Sequence, residues 1–112
     1  LAMTLNEIAV QSNAGILLKE EVIPVHPEVS AACEMLGFDP LYVANEGKLV
    51  AIVPKEEAEK VLAVMKSTKY GEGAVVIGEV VAEPKSRVLL KTTLGSTRVV
   101  DMLAGEMLPR IC

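Results

Sequence analysis

The sequence predicts an α+β fold with α/β layering, in which helices pack on a mixed β-sheet. Its 112 residues are the length of one domain with a sizeable core. The hydrophobic fraction is 51%, with two Tyr, one Phe and no Trp, so that core must be aliphatic. Segments of helical and strand periodicity follow in the order α, β, α, β, β, α, β, β, β. That order is typical of a sheet covered by helices.

The first two elements are predicted to be a helix and an extended segment. In "TLNEIAVQSNAG", Thr4 and Glu7 have the spacing of a capping box, which predicts a helix beginning at Thr4. Asn13 and Gly15 are suited to the left-handed end of that helix. The following run, "ILLKEEVIPV", is predicted to be extended as far as Pro24.

A second helix is predicted from Pro27, at its first position, to Gly37. Its inward face is predicted to hold Val29, Ala32, Cys33 and Leu36. The apolar runs 41–44 and 49–53 flank "NEGK", which predicts a β-hairpin.

A third helix is predicted to follow Pro54, with acidic residues in its first turn. Its inward face is predicted to hold Ala58, Val61, Leu62 and Met65. Strands are predicted in 74–81, 87–93 and 97–101, the last pairing back across "LGS". A helical turn at 101–104 would then complete a domain of residues 1–104, and residues 105–112 are expected to be a mobile tail.

Composition disfavours several classes of protein. The formal net charge is −4 and no cluster of Lys and Arg is longer than a pair, which argues against nucleic-acid binding. No signal peptide or membrane span is recognisable, so we expect a cytoplasmic domain without a membrane partner, cut from a longer protein because it begins with Leu. Cys33 and Cys112 are expected to be free thiols.

Few residues are candidates for chemistry. The sequence has no glycine-rich phosphate loop and no closely spaced zinc ligands, and its one histidine, His26, is interpreted as a neighbour of a helix cap. Cys33 is interpreted as a core residue. The thiol of Cys112 lies at an accessible chain end, where it is either a reactive group or inert. Glu46 is either a solvated turn acid or, if covered, a base. Asn6 and Glu7 pose the same choice, and Glu7 is interpreted as part of the capping box.

Several segments of the sequence together indicate a family, namely "LNEIA", "CEMLGFDPLYVANEGKLVAIVP", "YGEGAVVIGEV", "RVLLKTTLGSTRVVDMLAGEMLPRIC" and above all the final "PRIC". With these segments the sequence resembles the carboxy-terminal part of the hydrogenase maturation family HypE. The resemblance covers essentially the whole chain. This family shares a superfamily with aminoimidazole ribonucleotide synthetase, in which an amino-terminal ATP-binding domain precedes a second α/β domain. The chain is similar to the second domain only.

The resemblance implies a role in making the cyanide ligands of nickel–iron hydrogenases. In such a protein the carbamoyltransferase HypF would place a carbamoyl group on Cys112, and ATP-dependent dehydration would convert it into a thiocyanate. The cyano group would then pass to iron held by HypC and HypD. The resemblance further implies Glu46 as a base, and Pro109 and Arg110 as guides of the tail.

The same resemblance implies that ATP and Mg bind mainly to the missing domain. No cofactor and no activity are therefore expected of this chain alone, and a homodimer is expected of the full-length protein. The alternative is a non-catalytic module that binds a partner and whose terminal thiol is incidental.

Overall fold

Three α-helices and four strands make up residues 1–102, the part of the chain that the computed structural model describes. The helices are α1 (Ala2–Ser12), α2 (Pro27–Leu36) and α3 (Ala58–Lys66). The strands are β1 (Gly15–Lys19), β2 (Gly78–Val81), β3 (Val88–Lys91) and β4 (Thr97–Val99). Short 3-10 helices lie at Glu20–Val22, Pro40–Tyr42 and Lys55–Glu57.

The strands form one mixed sheet in the order β2-β1-β3-β4. The central pair, β1 and β3, is parallel, with Ile16 opposite Val88 and Leu18 opposite Leu90. Both edge strands run antiparallel to their neighbours. The predicted mixed sheet is confirmed, as is the predicted return of the last strand across the "LGS" turn.

The core lies between α1 and one face of this sheet. Its buried side chains are aliphatic, as the composition predicts, and they are Ala2, Leu5, Ala9, Ile16, Leu18, Leu41, Val88, Leu90 and Val100. Burial of this apolar surface is the main source of stability for a domain of this size.

The beginning of α1 differs from its prediction. The helix starts at Ala2 with Leu1 as its N-cap, and no side chain caps it, so the predicted Thr4–Glu7 capping box is wrong. The physical reason is burial, because Ala2 and Leu5 are both enclosed and the helix extends to place them in the core. The predicted end is confirmed at Asn13, which is left-handed with φ 53°, whereas Gly15 belongs to β1.

The predicted limits of α2 are confirmed. Pro27 is its first residue, His26 is its N-cap, and Gly37 ends it in the left-handed region with φ 73°. Cys33 is buried and free, as expected. Val29, Ala32 and Leu36, predicted to face inward, are instead exposed, because α2 packs mainly on the short helix Pro40–Tyr42 rather than on the sheet.

The prediction of a β-hairpin in 41–53 is wrong, since none of these residues lies in a strand. Leu41 is buried in a 3-10 helix rather than a strand, because Pro40 starts that helix and the Asp39 carboxylate accepts a hydrogen bond from the Leu41 N–H. Residues 49–53 join no strand ladder within residues 1–102. All four observed strands are shorter than the segments predicted for them; β1, for example, ends at Lys19, and β2 begins only at Gly78.

The predicted inward face of α3 is oriented correctly but is not fully enclosed. Its only partly buried positions are the four predicted ones, Ala58, Val61, Leu62 and Met65. No residue of the helix is fully buried by the described part of the chain. The helical period was therefore readable from the sequence, whereas the depth of burial was not.

Candidate functional site

The predicted site residues fall in two places. Glu46 is exposed, in an irregular segment that also contains Gly47 at φ 75°. Pro109, Arg110 and Cys112 lie outside the described residues, as do the tail 105–112 and most of the turn predicted at 101–104. Their roles stay predictions.

The structure does describe the point from which the carboxy-terminal segment continues. Strand β4 ends at Val99, and the next residue, Val100, has a fully buried side chain. The Val100 N–H donates to the Val88 carbonyl oxygen at 2.8 Å. The backbone is therefore still hydrogen-bonded to β3 one residue beyond the end of β4.

Asn6 approaches the same point from α1. Its side chain is only 7% exposed, and its Nδ2 donates to the carbonyl oxygens of Ala2 and Val100, each at 2.9 Å. The second bond joins residues 94 positions apart in the sequence. Because a buried amide is costly unless it is bonded, these two bonds explain how Asn6 is accommodated in an aliphatic core.

Tyr42 approaches the following residue, Asp101. The pKa of the Tyr42 hydroxyl is raised, first by burial and then by the negative charge of Asp39. The Arg98 guanidinium acts in the opposite direction, as does a hydrogen bond from the Asp101 backbone to the hydroxyl oxygen. Tyr42 thus stays protonated in its ordinary state while its oxygen accepts a bond from the main chain.

An ion pair ties the same turn to β4. Arg98 Nη2 donates to Asp39 Oδ2 at 2.9 Å, and both side chains are partly exposed. The other carboxylate oxygen accepts from the Leu41 N–H at 3.0 Å, which caps the short helix that carries Tyr42. A small cavity of about 90 Å³ borders this pair and is lined partly by Ile23 and Leu41.

We call Asn6, Asp39, Tyr42 and Arg98 the root cluster, because they surround the start of the carboxy-terminal segment. Glu46 lies four residues after Tyr42 in the sequence, in the exposed irregular segment that follows the Pro40–Tyr42 helix. From the sequence, Asn6 was a candidate with no role assigned, and no motif indicated the other three residues. A signal existed for Asn6, since positions 2, 5, 6 and 9 share one helical face and three of them are apolar.

A second cavity lies at the opposite end of β3. Its volume is about 260 Å³, and it is lined by Lys19, Glu21, Lys91, Thr92, Thr93 and Gly95. Within residues 1–102, no three His, Cys, Asp or Glu side chains come together in a way that could hold a metal ion. No helix in that range is long and apolar enough to span a membrane.

Comparisons with known proteins give a consistent result. Residues 1–91 match the family described as AIR synthase related protein, C-terminal domain. The chain is 60% identical over all 112 residues to carbamoyl dehydratase HypE of Bradyrhizobium diazoefficiens, of which it covers 32%. The similarity to HypE inferred from the sequence is confirmed.

Solved structures agree with the fold. Crystal structures of hydrogenase maturation protein HypE, alone and in complex with ATP, are 47% identical and superpose with TM-scores of 0.91 and 0.89. They match the whole of this chain and 37% and 35% of theirs. A HypE–HypF complex matches 89% of the chain and 32% of its own at 45% identity, with a TM-score of 0.84. The chain thus spans about a third of the length of these relatives.

Proposed function

The chain belongs to the family of AIR synthase related proteins, as their C-terminal domain, and from this membership we propose that it is the corresponding part of a HypE-type carbamoyl dehydratase. The observation that carries the proposal is the 60% identity to carbamoyl dehydratase HypE over all 112 residues of the chain. ATP, which a related HypE structure contains, is proposed as a substrate of the longer protein.

The first proposed step loads the terminal sulfur. The Cys112 thiol gives up its proton, a bond forms between its sulfur and the carbon of an activated carbamoyl group, and the bond from that carbon to its phosphate or adenylate oxygen breaks. The product is an S-carboxamide. Because a related HypE forms a complex with HypF, we propose HypF as the donor of the carbamoyl group.

The second proposed step removes water from the S-carboxamide. The amide oxygen takes the γ-phosphoryl group of ATP and ADP departs; the nitrogen then loses two protons and the carbon–oxygen bond breaks, which releases phosphate and leaves a thiocyanate. We propose Glu46 as a base for one of these protons. Its exposed position in the described chain is compatible with this role only if the rest of the longer protein covers it. Pro109 and Arg110 are proposed to guide the tail.

The remaining roles concern the longer protein. We propose that the cyano group passes to iron held by HypC and HypD, where a reductant supplies the two electrons that yield bound cyanide and the free thiolate. We further propose that the full-length protein is a cytoplasmic homodimer and that it binds ATP and Mg mainly through its other domain.

Mass spectrometry of the full-length protein tests the proposal. With the carbamoyltransferase, carbamoyl phosphate and ATP, the peptide containing Cys112 should gain about 43 Da, as a carbamoyl group replaces the thiol hydrogen, and then lose about 18 Da as water departs. Cys112→Ala should show neither change. If the variant acquires both, the assignment of the sulfur is wrong; if the wild-type peptide acquires neither, the module that binds a partner is the better description.

A second arm of this experiment tests Glu46. Glu46→Gln should gain the first mass normally and lose water more slowly, by roughly 10²-fold or more if it is a general base. Glu72→Gln, which alters another exposed acid beside a glycine, is the matched control and should behave as the wild type. Equal rates for the two variants would remove Glu46 from the mechanism.

A further inference from the structure

The start of the carboxy-terminal segment is held by side chains from two distant parts of the sequence. Val100 has both backbone polar groups bonded, its N–H to Val88 and its carbonyl oxygen to the amide of Asn6. The backbone of the next residue, Asp101, bonds to the Tyr42 hydroxyl. Two consecutive residues beyond β4 are thus fixed by α1 and by the turn at Pro40–Tyr42.

The presence of an amide side chain at position 6 indicates the role of its hydrogen bond to Val100. Asn6 lies among Ala2, Leu5 and Ala9 in the core, where an apolar side chain of similar volume would avoid the cost of burying an amide. Such a side chain would, however, leave the Val100 carbonyl oxygen without this donor. A fully bonded amide in an apolar core contributes little net stability but specifies one position for its partner.

We propose that Asn6 and Tyr42 are positioning residues for the dehydration step, which fix the point from which the segment carrying Cys112 extends. This inference rests on the proposed function. From Met102 to Cys112 there are ten residues, which reach at most about 35 Å from that point. The Cys112 sulfur can therefore reach only positions within that distance of Met102, and the root cluster fixes the point from which the distance is measured.

The size of the expected effect follows from the length of the tether, by which we mean the ten residues that follow Met102 as far as Cys112. The effective concentration of a tethered group falls roughly as the −3/2 power of tether length. The pairing of β4 with β3 does not involve Asn6 or Tyr42, so their loss would release only Val100 and Asp101. Two more residues on a ten-residue tether lower that concentration by about a quarter. The transfer of the carbamoyl group from a separate protein is bimolecular and should not change.

The test is a competition in the full-length protein. Wild type labelled with ¹⁵N is mixed with unlabelled Asn6→Leu or Tyr42→Phe, and the carbamoyltransferase, carbamoyl phosphate and ATP are added, so that both rates are read in one sample. We expect unchanged gain of the carbamoyl mass and a loss of water that is slower by about a quarter. A two-residue Gly-Ser insertion after Met102, which lengthens the tether directly, should give a similar ratio.

Two variants separate positioning from loss of stability. Ile16→Val weakens the same core without touching the root cluster, and Tyr70→Phe removes a hydroxyl from an 89% exposed tyrosine. Both should match the wild type in both steps. The inference is overturned if Asn6→Leu and Tyr42→Phe dehydrate at the wild-type rate, or if they slow the gain of the carbamoyl mass as much as the loss of water.

Amide hydrogen exchange across residues 97–102 keeps the inference testable if the proposed function fails. Exchange there should be faster in Asn6→Leu and Tyr42→Phe than in Ile16→Val. If the wild type gains no mass at Cys112, the proposed function is lost, and this measurement alone decides whether the two side chains fix the segment. Exchange no faster than in Ile16→Val would show that they do not.

Discussion

Tyr42 has an acid–base property that depends on its place in the fold. Burial and the nearby Asp39 carboxylate raise the pKa of its hydroxyl above the ordinary value. In the unfolded chain the hydroxyl loses its proton near pH 10, whereas in the folded chain it retains that proton to a higher pH. The unfolded state therefore binds fewer protons than the native state in this range, and the free energy of unfolding falls as pH rises above about 10.

Tyr42→Phe should reduce this alkaline loss of stability. The raised pKa contributes to the free energy of unfolding in full below about pH 10, and this contribution is lost as pH rises through the pKa of the folded state. The variant has no such contribution to lose, so its free energy of unfolding should decline less steeply above pH 10. Urea unfolding followed from pH 8 to 11 measures the slope. Tyr70→Phe is the matched control and should decline as steeply as the wild type. Identical slopes for both variants would contradict the assignment.

Site residues differ in how far the sequence could reveal them. Cys112 and Glu46 were proposed because a terminal cysteine and a turn acid stand out in the sequence and match a family. Tyr42 and Arg98 belong to the root cluster through contacts with Asp101 and Asp39, which lie 59 positions away in both cases. No local sequence pattern indicates a contact between residues so far apart in the chain, so these residues could be found only from the structure.

At the scale of elements, local signals located helices better than strands. Pro27 and Gly37 limit α2, and Asn13 ends α1, because each acts through its own backbone conformation. A strand depends on a partner as well as on its own sequence. Residues 49–53 have strand composition and join no ladder in the described chain, which explains why the predicted hairpin failed.

Strand pairing between β1 and β2 requires a glycine at position 78. A Cβ atom there would collide with the carbonyl oxygen of Leu17 on the adjacent strand. Gly78→Ala should therefore lower the free energy of unfolding by about 1–3 kcal/mol, the usual cost of forcing an atom into packed structure. Denaturant unfolding of the chain measures the loss.

Gly73→Ala is the matched control for that substitution. A Cβ at Gly73 meets no atom within 4 Å, and its backbone does not have the positive φ that favours glycine. Its stability should remain within about 0.5 kcal/mol of the wild type. If both alanines cost the same, the collision at Leu17 is not what limits position 78.

At the scale of the whole molecule, apolar surface is unevenly covered. Leu49 and Ile52 are more than half exposed, as are Val64 of α3 and Val76 before β2. The core under α1 is closed, by contrast, with Leu18, Val88 and Leu90 at 0–1% exposure. Apolar residues are thus enclosed under α1, whereas several between positions 49 and 76 are open to solvent.

The 112-residue chain alone should not bind ATP appreciably. Its described cavities are small and open, and the sequence contains no glycine-rich phosphate loop. Isothermal titration calorimetry with ATP and Mg should give no binding isotherm for the chain, and a clear one for the full-length protein. Tight binding by the chain alone would place the nucleotide site in this domain and overturn the proposed division of roles.

The parallel pairing of β1 with β3 also has a consequence for synthesis of the protein. Because residues 16–19 pair with residues 88–91, the centre of the sheet cannot assemble until nearly the whole chain has left the ribosome. During synthesis the first strand must therefore wait, without its central partner, while all the residues between β1 and β3 are added. Any amino-terminal portion of this domain that stops before β3 lacks the centre of the sheet, so the domain is expected to fold as one unit rather than in stages.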